Sequence, residues 1–86
     1  MNLNLPPQQV ELQAEKMAGQ DFPEFKAISY KTEVVAGTNY FIKVYVGGSS
    51  YVHLRVFQSL PFDGLPPKLS AIKTGMTKDD PITYFD

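Results

Sequence analysis

The sequence predicts an α+β fold: one N-terminal helix packed on an antiparallel sheet of four or five strands. Three observations predict it. Residues 8–18 are mostly strong helix formers and place Val10, Ala14 and Met17 at i, i+4 and i+7, which makes one apolar face. Residues 38–46 and 51–60 alternate apolar and polar on either side of Gly47-Gly48-Ser49-Ser50, the pattern of a β-hairpin. Beyond the helix the chain is a meander of such runs, and a helix leading into an antiparallel meander is an α+β layout.

Taken in order, the chain begins with an extended lead in which Leu3 and Leu5 alternate with asparagines ahead of Pro6-Pro7. Proline keeps the residue before it out of helix, while Pro7 suits a first helical turn. Gly19 suits the position just past a helix end. The helix is too short to stand alone and needs packing to survive. Asp21-Phe22-Pro23 reads as a connector. Residues 25–35 form a first strand with Ile28, Tyr30, Thr32 and Val34 on one face and Phe25 and Ala27 on the other.

Residues 38–46 form the clearest strand, with Tyr40, Ile42, Val44 and Val46 on one face and Asn39, Phe41, Lys43 and Tyr45 on the other. In residues 51–60, Val52, Leu54 and Val56 point inward while Tyr51, His53, Arg55 and Phe57 point outward. A long turn from Pro61 to Pro67 holds three prolines and a glycine. Residues 69–74 read as a fourth strand and 82–85 as a short terminal one. The expected core includes Val10, Ala14, Met17, Ile42, Val44, Val52, Leu54 and Val56.

The 86 residues suit one domain, residues 1–86, able to bury roughly 60% of its unfolded surface. With 43% hydrophobic and 20% charged residues, disorder is not expected. A net charge of −1 argues against a nucleic-acid partner, which would need a clustered basic face. No stretch is long and apolar enough to span a membrane, so no membrane partner is expected. The first residues lack the basic start and apolar core of a signal peptide, and cysteine is absent. Disulfides and thiolate metal sites are thereby excluded, and a reducing, cytoplasmic setting is the expectation.

Catalytic chemistry finds little support. His53 is the sole histidine and lies on a strand between Val52 and Leu54, so a structural or surface role is expected of it. Asp79 and Asp80 are sequence neighbours, and in an extended segment they point apart. Gly47-Gly48 precedes a strand, so it is no phosphate loop. No metal, cofactor or catalytic residue is expected, and a binding protein is the better reading than an enzyme.

The stretch that invites a binding role is Val34-Val35-Ala36-Gly37, between the first two strands. Hairpin tips favour Asn, Asp, Gly or Pro, and here only Gly37 conforms. Either the valines leave apolar surface for a partner, or a buried strand simply continues through a bend. Composition does not choose between the two.

The run EVVAGTNYFIKVYVGGSSYVHLRVFQSLP closely resembles the stefins, the type 1 branch of the cystatin family. The family's first-loop motif, Q-x-V-x-G, stands here as Glu33-Val34-Val35-Ala36-Gly37. The likeness runs in register from Phe22-Pro23-Glu24-Phe25 through Ser59-Leu60-Pro61 to Thr83-Tyr84-Phe85, about three quarters of the chain. The resemblance implies a cystatin-like fold, with a curved sheet gripping the helix. It also implies reversible, tight-binding, competitive inhibition of papain-like cysteine proteases, cathepsins included. In the family a wedge of the N-terminal trunk and two hairpin loops fills the active-site cleft without a covalent bond. Mapped onto this chain, the first loop is Glu33, Val34, Val35, Ala36 and Gly37, and the second is Leu60, Pro61 and Phe62.

The chain departs from that pattern twice. Glu33 stands where the family has glutamine, bringing a carboxylate to the base of the loop. No glycine precedes Gly19, so the family's trunk glycine is missing, and Leu3 and Leu5 are the residues left to make the trunk contact. These departures leave a second reading: a divergent or engineered stefin scaffold of weakened inhibition that self-associates, the monomer exchanging into a domain-swapped dimer of the kind to which the family is prone.

Overall fold

Gln, Glu, Ala, Leu, Lys and Met keep their rotamer freedom in a helix, and they build α1 (Pro7–Ala18). The computed structural model describes residues 7–85. The helix ends where the Gly19 and Gln20 amides both close onto the Glu15 carbonyl, at 2.9 and 3.2 Å. The Glu15 carboxylate then accepts the Phe22 amide at 2.8 Å, which turns the connector back and sets Phe22 into the core. Val10 and Ala14 are buried as expected, but Met17 is 49% exposed. The buried stripe continues at i+4, to Ala18, which packs against the core; Met17 falls to its flank.

Four strands come after the helix: β1 (Lys26–Val35), β2 (Gly37–Gly47), β3 (Ser50–Gln58) and β4 (Lys68–Met76). They form one antiparallel sheet in sequence order, β1-β2-β3-β4. Alternation puts Ile42, Val44, Val46, Val52, Leu54 and Val56 on the face toward α1, where they are buried with Val10, Ala14, Phe22 and Leu69. The helix is tied to β4 by a polar stitch, in which the Leu69 amide donates to the Gln13 side-chain oxygen at 2.7 Å.

β1 does not keep one phase along its length. Its pairing shifts between Ala27 and Ser29, so that Ala27 lies opposite Val44 and Tyr30 opposite Ile42. Opposite residues share a face, so Ala27 joins Tyr30 on the helix side. Ile28 is the extra residue of a bulge and is 42% exposed. The expected grouping of Ile28 with Tyr30 therefore fails across one inserted residue.

Residues 82–85 are not a strand, so the sheet has four strands among the described residues. Residues 77–85 instead cross the outer face of the sheet. Lys43 donates from Nζ to the carbonyls of Lys78 and Asp80, at 2.6 Å each. The Phe41 ring meets Tyr84 and Phe85 edge-on, with centroids 5.0 and 5.7 Å apart, and Ile82 is buried. Under this strap Phe41, Lys43 and His53 are buried, although alternation turns all three away from the helix. His53 points outward, as expected, and yet does not reach water.

Candidate functional site

β1 and β2 stay paired to their last residues. Val34 lies opposite Thr38 and Val35 opposite Gly37, which leaves Ala36 alone at the tip. The two valines are extended strand residues rather than turn residues; the left-handed backbone falls on Gly37, with φ +117°. Val34 is 80% exposed and Val35 49%, with Ala36 exposed beside them. Of the two readings of this stretch, the buried strand is excluded.

Two contacts brace the tip from behind. Gly37 is buried against β3, and Phe57 and the Gln58 backbone occupy the space a side chain would need. Asn39, also buried, donates its side-chain amide to Glu33 Oε1 at 3.1 Å. The carboxylate at the base of the loop thus has a donor within its own chain, which offsets part of the cost of desolvating it.

β3 leads from Gln58 into the second loop, so the two tips lie side by side at one end of the sheet. Leu60 precedes a single 3-10 turn, Pro61–Asp63, closed by the Asp63 amide on the Leu60 carbonyl at 3.0 Å and the Gly64 amide on the Pro61 carbonyl at 3.3 Å. The Gln58 side-chain amide reaches the Leu65 carbonyl at 3.3 Å and ties the base of the loop. Phe62 is 83% exposed, Pro61 is exposed, and Leu60 is 36% exposed. Leu65, at 61% exposure, extends the same apolar edge. It is absent from the residues expected at the site, and its place between a glycine and two prolines was the one signal that could have found it.

The start of the helix lies toward this end as well. The far end of α1 leads to Pro23, which packs on Gly47 at the opposite hairpin, and Gln13 is already level with Leu69, opposite Val56. Leu3 and Leu5 lie outside the described residues.

Chemically this edge can bind but is not equipped to catalyse. The expected residues from Val34 to Ala36 and Leu60 to Phe62 carry no nucleophile and no acid–base pair. No group of three or more His, Asp or Glu that could hold a metal occurs among the described residues. Among the described residues, His53 and Asp80 are the groups with displaced pKa values, and they sit under and within the strap on the outer face. The arrangement is thus a set of exposed apolar tips, braced from behind, at one end of a helix-and-sheet scaffold.

A family model described as the cystatin domain matches residues 10–78, and the chain belongs to the cystatin family, in its stefin branch. It is 56% identical to human cystatin-B (stefin B) over 77 residues, which cover 90% of this chain and 79% of that protein. It is 49% identical to pig cystatin-A1, and 51% identical to the pig protein named leukocyte cysteine proteinase inhibitor 1. Each of those two matches covers 76 residues, 88% of this chain and 74% of the relative. The last of these names is that of a cysteine proteinase inhibitor, and the chain is not an enzyme.

Proposed function

We propose that this chain is one stefin-type domain, residues 1–86, that inhibits papain-like cysteine proteases, cathepsins among them, reversibly and competitively. The inhibitory wedge is the apolar edge. Glu33, Val34, Val35, Ala36 and Gly37 form its first part, and Leu60, Pro61 and Phe62 its second. Leu3 and Leu5 supply the trunk contact. No cofactor, metal, nucleic acid or membrane takes part, and the protein acts in the cytoplasm.

The observation that carries this reading is the exposure of Val34 and Phe62, 80% and 83%, on neighbouring tips at one end of the sheet. Each fully buried apolar side chain of this size is worth about 1.5–3 kcal/mol. A braced tip also loses little entropy on docking, so a small edge supports tight binding. A cleft that closes over both tips excludes substrate with no bond formed. Papain activity titrated with this protein tests the reading: a fall to near zero at equivalence is expected, and undiminished activity at large excess overturns it.

A second reading, self-association through strand exchange, is favoured by one observation. Only Ala36 separates two strands that are paired to their ends, so opening that tip would join β1 and β2 into one long strand. The exchanged dimer would consume the first tip and inhibit poorly.

A further inference from the structure

The outer face of the sheet holds a titratable cluster that protease inhibition does not use. His53 is 1% exposed, and its Nε2 has no hydrogen-bond partner among the described residues. Cross-strand pairing puts Lys43 of β2 on one side of it and Lys73 of β4 on the other. Along β3 its same-face neighbours are Tyr51 and Arg55. In β1 the residue of this row is the uncharged Ser29, with Lys26 and Lys31 one row to either side. Among the described residues of the strap, the carboxylate that bears on His53 is that of Asp80, and it is already engaged by the Thr77 amide at 2.7 Å. Lys78 and Asp79 of the strap are exposed.

The strap is held by this same row of the sheet. Lys43 clamps the Lys78 and Asp80 carbonyls, and the Lys73 ammonium lies 4.8 Å from the centre of the Phe85 ring, which in turn packs on Phe41. A proton on His53 would place a third cation between two lysines, in a site closed to water. The covered state has one simple way to relieve that cost, which is to lift residues 77–85 and let water in.

We propose that His53 is an acid-sensitive latch, whose protonation frees residues 77–85 from the sheet while the helix and hairpins stay folded. Burial first, and the Lys43 charge second, push His53 below its ordinary value of 6.5; Lys73 adds to the lowering and Asp80 opposes it. With the strap lifted, the imidazole is solvated and the largest cause of the lowering is removed, although Lys43 and Lys73 stay beside it on the sheet. The open form therefore binds the proton more readily. The latch holds at neutral and higher pH and weakens as pH falls below the ordinary histidine value. Asp80 acts in a separate, more acid window. The Thr77 hydrogen bonds hold its carboxyl below the ordinary 3.8, so its support is lost only at lower pH still. Opening uncovers Phe41, which is 2% exposed when the strap is closed.

Solution NMR of the full chain, near pH 7.5 and near pH 5, tests this across the histidine range. The Phe41–Tyr84 contact, read as an aromatic NOE, is expected at the higher pH and lost at the lower, with the amides of residues 34–37 unmoved. In His53→Gln the contact should persist at both. A contact that survives acid in the parent, or is lost equally in His53→Gln, overturns the latch. Should the variant not fold, the parent alone decides. His53 must titrate below its ordinary value and in step with strap release; an ordinary titration with the strap still in place overturns the proposal.

Discussion

Gly37 sits against the Phe57 ring so closely that a Cβ there would stand 2.7 Å from Cζ, and 2.6 Å from the Gln58 carbonyl oxygen. The first tip is thereby clamped to the strand that delivers the second loop. Gly37→Ala must displace Phe57 or lift the tip, and must also hold φ at +117° with a side chain. Overpacking of this kind costs about 1–3 kcal/mol. We expect a lower urea midpoint together with weaker papain inhibition. An alanine variant matching the parent in both would mean that the clamp does not set the tip.

Val35 is half exposed in the free protein, so Val35→Asp should change stability little. In a protease cleft the carboxylate would be desolvated without a partner, at a cost of about 3–5 kcal/mol, or about two to four orders of magnitude in affinity. Phe62→Ala separates folding from binding in the same way, because a ring that is 83% exposed contributes little to the fold. Its inhibition constant for papain should rise by about tenfold or more, as for an interface anchor. Thermal melts beside inhibition assays read both variants. A parent-like inhibition constant in either removes that residue from the wedge.

Glu33→Gln keeps an oxygen for the Asn39 amide, which now stands 3.1 Å from Glu33 Oε1, and removes the charge. Affinity for papain should hold or improve, with stability within about 0.5 kcal/mol. A clear loss of affinity would show that the carboxylate meets a cation on the protease. Asn39→Ala should cost about 1 kcal/mol of stability through the lost hydrogen bond.

The parts of this fold that are legible in the sequence are those set by local period. The inner positions of β2 and β3 come from alternation, and the helix from residue preference and spacing. The bulge at Ile28 is not legible, because it exists only relative to the register with β2. Residues 82–85 have strand composition, but Phe41 and Lys43 hold the tail flat across the sheet, and neither contact leaves a local trace. The outward direction of His53 is legible from alternation, whereas the strap that buries it is hidden for the same reason as the tail. The exposed tip is legible because valines at a turn break a rule. Its braces, Asn39 on Glu33 and Phe57 on Gly37, depend on pairings across strands.

Strand exchange at Val34 to Gly37 is the remaining prediction. The valines are extended on β1, and the left-handed residue is a glycine, which adopts that backbone at little cost. Opening the tip therefore releases little strain. The exchanged dimer would remake the β1–β2 pairing and the helix packing between two copies, so the two states differ little in contacts. The balance should depend on protein concentration, and the rate on unfolding, since β1 and α1 must leave the sheet before they can cross over. We expect a monomer that persists at room temperature and a dimer that appears after brief heating or partial denaturation. In the dimer, Val34 to Gly37 lie inside a long strand and cannot enter a cleft, so inhibition per chain should fall. Size-exclusion chromatography after heating, with each peak assayed against papain, reads both effects. A dimer as inhibitory per chain as the monomer would place the hinge elsewhere, and the absence of any dimer under destabilising conditions would exclude exchange altogether.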